Sequence, residues 1–290
     1  MNNPIHQFSN AMAAAGITPP DAIIADGCLH RFSANGKCTD AAGYYVLHLD
    51  GIPAGMFGCW RSGINQTWRA DIGRQLTPQE NSTHRAQMLR IQAEREREKL
   101  QRQSSAALKA KAWWANSTPA TNHPYLLRKN VNAYHLRQRD SLLLIPLVEG
   151  QELINLQTID GDGNKRFLSG GRVKGVYSPI GVIETERPVY ICEGWATGAT
   201  IHEETGADVV CAMNAGNLLS AGQTLRRLNP ALQIIIAGDD DRMTDGNPGR
   251  SAAIRAAESL RCGFVLPEWP EGAPPQLSDF NDLQQWRACA

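Results

Sequence analysis

Hydrophobic residues recur in short buried-looking runs along the second half of this chain of 290 residues. From residue 188 onward, the runs VYIC, DVVC and LQIIIA predict strands, and ATGATIHEETG, SAGQTLRRLN and GRSAAIRAAESLR predict helices between them. Strands and helices that alternate in this way are typical of a parallel sheet with crossover helices. We therefore predict an α/β domain over residues 187–290.

The residues before this domain divide into three stretches. Residues 1–76 are rich in Gly and aromatic residues, and Asp50-Gly51 between two alternating runs predicts a hairpin in a small β-rich module. Thr77, Pro78 and Glu80 form a helix start with a capping box, which opens a charged helical connector over residues 77–120. In residues 121–186, SLLLIPLVEG and QELINLQTID predict strands of a mixed α/β subdomain.

Composition places the chain among folded globular proteins, with 42% hydrophobic and 20% charged residues. Its longest apolar runs are too short to span a bilayer, and its first residues lack the pattern of a secretory signal. The seven cysteines are scattered, and no C-x₂₋₄-C pair is present to predict a zinc site among Cys28, His30, Cys38 and Cys59. We expect free thiols in a reducing cytoplasm and no membrane partner.

Charge is distributed unevenly although the net charge is zero. Residues 1–186 carry 21 Lys and Arg against 16 Asp and Glu, whereas residues 187–290 carry 8 against 13. A basic part beside an acidic part fits a protein that holds an anionic polymer with one part and metal ions with the other.

Acidic residues follow two of the predicted strands directly. Glu193-Gly194 ends one strand, Asp239-Asp240-Asp241 follows another, and a third acidic group lies at Asp279 and Asp282. Because functional groups in open α/β sheets collect beyond the carboxyl ends of strands, these carboxylates predict a site for Mg²⁺ or Mn²⁺. The alternative is that each acid only caps a helix or lies in a polar loop, and three clusters together make that alternative weaker.

Two segments carry a resemblance to a known family. VYICEGWATGATI and IIIAGDDD, with CAMNAGNL between them, resemble the TOPRIM domain of bacterial-type primases, topoisomerases and related nucleases. Upstream, HPYLLRKNV, LLLIPLVEG, the segment from LINLQTID to VYSPIG, and the terminal SDFNDL are similar to TOPRIM primases of plasmids and phages. The resemblance implies a C-terminal TOPRIM-type parallel-sheet domain that follows a basic mixed α/β subdomain and a β-rich N-terminal module.

The resemblance also implies roles for individual residues. Glu193 is expected to be the acid/base of nucleotidyl transfer and to contact metal. Gly194, because glycine lacks a side chain, is expected to let the backbone pass close to the site, and the alternative is a plain strand-to-helix turn. Asp239 and Asp241 are expected to be metal ligands. The loop RMTDGNPG is longer than the family pattern and holds Asp245, a possible additional acid. The remaining expected site residues are the trailing acids Asp279 and Asp282 and the basic candidates for template or triphosphate, Lys165, Arg166, Arg172 and Lys174.

These observations lead to one main hypothesis and two alternatives. The main hypothesis is a primase-type nucleotidyltransferase of plasmid or phage replication, which uses nucleoside triphosphates, single-stranded DNA and Mg²⁺ or Mn²⁺, with a separately encoded helicase as a possible partner. The alternatives are a TOPRIM nuclease and a catalytically weak binding protein. The basic segment from Lys165 to Lys174 favours the primase over the nuclease. The complete acidic set argues against a catalytically weak binding protein. No P-loop motif is present, so helicase activity in this chain is not expected.

Overall fold

A computed structural model describes residues 3–36, 40–71, 73, 77–183 and 187–289, and the chain divides into two compact units, residues 1–94 and 95–290. Within the described ranges, no helix is long and apolar enough to cross a bilayer. Cys38 lies outside these ranges, and His30 is held by Asp26, whose Oδ1 is 2.8 Å from His30 Nε2.

The first unit contains an antiparallel sheet against one helix. Helix α1 places Phe8 and Met12 on the sheet residues Tyr45, Leu47 and Phe57. The hairpin predicted at Asp50-Gly51 is present between β2 and β3, whereas α1 was not predicted. The elements, with the strands in sequence order across the sheet, are α1 (Pro4–Ala14), β1 (His30–Phe32), β2 (Gly43–His48), β3 (Ala54–Cys59) and β4 (Ile64–Arg69).

Helix α2, Pro78–Ala115, begins at the predicted capping box. The Glu80 amide donates to Thr77 Oγ1 at 3.2 Å, and the Thr77 amide donates back to the Glu80 carboxylate at 2.9 Å. Most of the helix is exposed, but Ala110 near its end is fully buried against leucines of the next sheet. The last turns of the predicted connector therefore belong to the core of the second unit.

The second unit contains two sheets. The first, named here the antiparallel sheet, has its strands in sequence order across the sheet. A short helix, α3 (Pro124–Lys129), follows the first of these strands in the sequence and precedes the second. Its two long strands are the ones that the sequence predicted. Its strands are β5 (Thr118–Pro119), β6 (Arg137–Arg139), β7 (Leu142–Glu149), β8 (Glu152–Ile159) and β9 (Lys165–Phe167).

The second sheet, named here the mixed sheet, has the order β10-β12-β11-β13-β14. The three predicted strands are parallel, a fourth parallel strand, β14, was not predicted, and β10 is antiparallel to β12 although it comes from the stretch assigned to the basic subdomain. Its strands are β10 (Ser178–Ile180), β11 (Val189–Cys192), β12 (Asp208–Cys211), β13 (Ile234–Ala237) and β14 (Gly263–Val265). Its helices are α4 (Trp195–Thr205), α5 (Leu218–Leu228), α6 (Pro248–Leu260) and α7 (Phe280–Cys289), with a 3₁₀ turn at Ala215–Asn217.

Helix α4 fills the space between the two sheets. Trp195 and Ala199 of α4 pack with Leu143 and Ile145 of the antiparallel sheet in one continuous core. A Cβ added at Gly198 would lie 2.4 Å from Cys211 Sγ, so only glycine lets α4 approach the mixed sheet this closely. The opposite face of the mixed sheet is covered by α5 and α6.

An ion-pair network joins the antiparallel sheet to α5. Glu149 at the end of β7 accepts hydrogen bonds from Arg172 and Arg227, and these guanidinium groups lower the pKa of the carboxyl group. A lowered pKa in the folded state means that the stabilisation is present above the ordinary value of 4.5 and disappears as the pH falls through the folded value.

Replacing Glu149 by Gln is expected to lower the free energy of unfolding at pH 7 by about 1 kcal/mol, with the loss shrinking below about pH 4.5. Urea unfolding at pH 7 and pH 4 measures both values. Glu152→Gln is the control, because its exposed pair with Lys111, at 2.9 Å, is expected to contribute less than about 0.5 kcal/mol. Equal losses for the two variants at pH 7 would contradict a special role for the network.

Candidate active site

The acidic residues predicted from the strand ends converge at one edge of the mixed sheet. Cys192 is in register with Ala237, so Glu193 after β11 and Asp239 after β13 leave the sheet side by side. Five carboxylates interact electrostatically at this edge and are named here the acidic cluster. Its members are Glu193, Asp239, Asp241, Asp279 and Asp282.

Asp239 is the most strongly perturbed member of the acidic cluster. Burial, followed by the charges of the other four carboxylates, raises its pKa to about 8. Its Oδ1 atom is buried and has no hydrogen-bond partner among the described residues. A buried carboxylate oxygen without a donor is costly, and it marks a position that a cation would satisfy.

Glu193 and Asp279 have partners that fix their orientation. Burial raises the pKa of both groups, although the Ala215 amide donates to Glu193 and partly opposes the shift. Asp279 caps α7 by accepting from the Asp282 amide at 2.8 Å, and its other oxygen accepts from Thr197 Oγ1 at 3.2 Å. Two of the acids are therefore oriented by the chain itself.

Asp241 is tied to the start of α6. Its Oδ2 atom accepts a hydrogen bond of 2.8 Å from the Gly249 amide. A Cβ added at Gly249 would lie 2.8 Å from Asp241 Oδ2 and 2.9 Å from the Asp239 carbonyl oxygen. Glycine is therefore required at this position to bring the helix N-terminus against the acids, a requirement that the sequence analysis missed.

The neighbouring acids Asp240 and Asp245 have different surroundings. Asp240 is buried and accepts hydrogen bonds from Asn247 Nδ2 at 2.7 Å and Trp269 Nε1 at 3.0 Å, so it braces the long loop before α6. Asp245 is exposed in that loop. Its contribution to metal binding stays a prediction.

Two lysines from the antiparallel-sheet part of the unit reach the acidic cluster. Lys129 Nζ, at the end of α3, lies 3.4 Å from Asp282 Oδ1. The Lys165 ammonium interacts with Asp279, Glu193 and Asp239, and desolvation together with the charge of Lys129 lowers its pKa. Lys165 was predicted, whereas Lys129 was missed, although the two basic residues that end HPYLLRK were the available signal.

The other predicted basic residues lie in varied surroundings. Arg166 and Lys174 are exposed, whereas the Arg172 side chain is paired with Glu149. Gly194 has a φ of −104°, and a Cβ there would make an ordinary contact of 3.5 Å with Thr197 Oγ1. The backbone conformation does not require glycine at 194, so its predicted role at the metal site stays a prediction.

The donor set fits a hard divalent cation. Among the described residues, no three His, Cys, Asp or Glu side chains are already gathered into a closed metal-binding group. Mg²⁺ typically binds through one or two carboxylates and completes its shell with waters and substrate phosphates, so it needs no closed protein cage. The unpartnered Asp239 oxygen beside Asp241 and Glu193 meets this requirement.

Comparisons with known proteins find similarity to a domain family and to DNA primases. Residues 188–288 match the Toprim domain model. The chain is 33% identical to a DNA primase TraC of Escherichia coli over 97% of its length, and 31% identical to a second over 93%. It spans only 20% and 27% of the length of these two relatives. The crystal structure of the Aquifex aeolicus primase, with its zinc-binding and RNA polymerase domains, aligns with 99% of this chain and 85% of its own at 15% identity and a TM-score of 0.43.

Proposed function

We propose that this chain, whose residues 188–288 match the Toprim domain model, is a DNA primase that synthesises short primers from nucleoside triphosphates on single-stranded DNA. The observation that carries the proposal is the meeting of the acidic cluster with Lys129 and Lys165. Carboxylates that hold Mg²⁺ or Mn²⁺ and cations that hold phosphates are the groups that nucleotidyl transfer requires. The similarity to proteins named DNA primase TraC supports the same activity.

The chemistry assigns a role to each group of side chains. Asp239 and Asp241, with Glu193, would hold the divalent ion, which when bound supplies charge neutralisation for the phosphates. Glu193 is assigned to accept the proton of the attacking 3′-hydroxyl, and the Ala215 amide that donates to its carboxylate orients it for this role. The 3′-oxygen forms a bond to the α-phosphorus. The bond between the α-phosphorus and the oxygen that bridges it to the β-phosphate breaks, and pyrophosphate leaves.

The basic residues hold the substrates. Lys165 and Lys129 face the acidic cluster and bind the phosphates of the incoming nucleotide. Arg166 and Lys174 are exposed and are assigned to the template backbone, whereas Arg172 supports the sheet through Glu149. We place the activity in plasmid or phage replication in the cytoplasm, with a helicase as partner.

The test of this proposal incubates purified protein with single-stranded DNA, all four ribonucleotides with one labelled, and Mg²⁺ or Mn²⁺. Wild type is expected to give short labelled products, and Glu193→Gln to lower their rate by at least about 100-fold, because the general base is lost. Glu258→Gln, an exposed carboxylate change on α6, is the control and is expected to behave as wild type.

Other outcomes identify the alternatives. Glu193-dependent cutting of end-labelled DNA without primer products would replace the proposal with a nuclease, because the same carboxylates can activate water. Salt-sensitive DNA binding with neither activity would replace it with a binding protein. Equal primer synthesis by Glu193→Gln and wild type would remove Glu193 from the chemistry.

A further inference from the structure

The ammonium of Lys165 lies over the ring of Tyr125. The distance from Lys165 Nζ to the ring centroid is 5.5 Å, within the range of a cation–π interaction. Tyr125 is only 4% exposed and is part of the core that joins the two sheets of the second unit. A buried ring therefore lies beneath a cation at the edge of the acidic cluster.

The hydroxyl group of Tyr125 does not explain the presence of this residue. It is buried, its one polar contact among the described residues is with the Ala196 backbone at a geometry too poor for a full hydrogen bond, and burial together with the charge of Asp279 raises its pKa. A buried hydroxyl without a partner costs free energy. The useful part of Tyr125 is therefore its ring.

Helix α3 also fixes the turn that leads to Lys165. Arg128 Nη1 donates a hydrogen bond of 2.6 Å to the Gly161 carbonyl oxygen. Gly163 has a φ of +94°, and a Cβ there would lie 2.9 Å from Arg128 Nη2. The turn thus passes directly against Arg128 of α3.

The turn is stiff in itself. The Asp160 carboxylate accepts hydrogen bonds from the Asp162 amide at 3.0 Å and from the Asn164 amide and side chain, each at 2.9 Å. Arg128 and Asp160 together fix the backbone from which Lys165 extends. Only the four-carbon stem of Lys165 is left to be oriented.

We propose that Tyr125 is a positioning residue, whose ring holds the Lys165 ammonium toward the acidic cluster so that the triphosphate of the incoming nucleotide meets a preoriented cation. The inference rests on the proposed function. A free lysine side chain would lose rotamer entropy on binding phosphate, and the charge of Lys129 opposes the attraction of the Lys165 ammonium to the carboxylates. The Tyr125 ring offsets both effects before the substrate arrives.

The test compares Tyr125→Leu, Tyr125→Phe, Lys165→Met and the double variant Tyr125→Leu/Lys165→Met. Primer synthesis gives kcat and KM for ATP, calorimetric titration with ATP and Mg²⁺ gives Kd, and the Tm of each variant reports folding. Tyr125→Leu is expected to raise KM and Kd by about 3- to 10-fold, as loss of a cation–π contact predicts. Tyr125→Phe is expected to stay within about twofold of wild type, because it keeps the ring.

The double variant decides whether Tyr125 acts through Lys165. Tyr125→Leu is expected to add no loss once Lys165 is Met, since the interaction is then already absent. Arg128→Met leaves the core intact and is expected to raise KM in the same direction, which keeps the test usable if Tyr125→Leu does not fold.

Three results would overturn the inference. In the first, the increases in KM caused by the two single substitutions multiply in the double variant. In the second, Tyr125→Phe and Tyr125→Leu raise KM and Kd equally. In the third, the wild-type protein binds no ATP in the presence of Mg²⁺. Wild type that binds ATP but makes no primers would instead reject the proposed function, and the Kd values would still decide the role of Tyr125.

Discussion

Asp239→Asn is expected to abolish primer synthesis and at the same time to make the metal-free protein more stable. Asp239 has a buried oxygen without a partner in the described residues, and four other carboxylates repel its charge. Since its pKa is about 8, the metal-free carboxyl group must take up a proton on folding at pH 7, whereas an amide is neutral in both states, so the substitution should add on the order of 2 kcal/mol to the free energy of unfolding at pH 7. For a chain of this size that is a rise in Tm of about 4–8 °C.

Thermal unfolding with and without Mg²⁺ gives the Tm of the metal-free and the metal-bound protein. Wild type is expected to gain stability from Mg²⁺, because the ion binds the folded state, and Asp239→Asn to gain little. The control, Glu258→Gln, changes an exposed carboxylate and should leave both Tm values and activity unchanged. A lower metal-free Tm for Asp239→Asn would show that the carboxylate is a structural group and not a strained one.

Gly249→Ala is expected to lower primer synthesis by at least about tenfold while the protein stays folded. The added methyl group would meet Asp241 Oδ2 at 2.8 Å and the Asp239 carbonyl oxygen at 2.9 Å, and the backbone atom cannot rotate away. Such overpacking typically costs about 1–3 kcal/mol. The helix would move away from both acids, so the Gly249 amide would no longer orient Asp241.

Gly263→Ala is the matched control for this substitution. Gly263 lies on strand β14, and no heavy atom lies within 4 Å of a Cβ added there. The activity and Tm of the Gly263→Ala variant should therefore equal those of wild type. Primer synthesis rates and circular dichroism melting curves make the comparison. Full activity of Gly249→Ala would mean that Asp241 does not need its present position.

Several parts of the site were predictable because the information is local. Strand runs that end in Glu193 and in Asp239 to Asp241 predicted both the parallel sheet and the edge where the acids meet, because parallel strands in register end together. The capping box at Thr77 and the turn at Asp50-Gly51 depend on neighbouring residues alone, and both are present. The Toprim match over residues 188–288 confirms the fold class that these patterns predicted.

Other parts depend on residues that are far apart in the sequence. Lys129 reaches Asp282 across 153 positions, and Asn281 supports this contact by donating to the Lys129 carbonyl oxygen at 2.8 Å. Arg172 was predicted as a nucleic-acid contact because its segment is basic, and the fold pairs it with Glu149, 23 positions earlier, while its contact with nucleic acid stays a prediction. Local charge cannot distinguish a free cation from a paired one.

The sequence by itself determined the three central parallel strands with the helices between them and the edge at which the acids emerge, and its carboxylates favoured a hard divalent cation. These follow from hydrophobic periodicity and from the chemistry of carboxylates, which each residue carries wherever it lies. The tertiary structure alone decided that Asp240 braces a loop while Asp239 has an unpartnered oxygen, and that Tyr125 lies beneath Lys165. Burial and contact distance separate these residues, and both quantities exist only once distant segments have packed together.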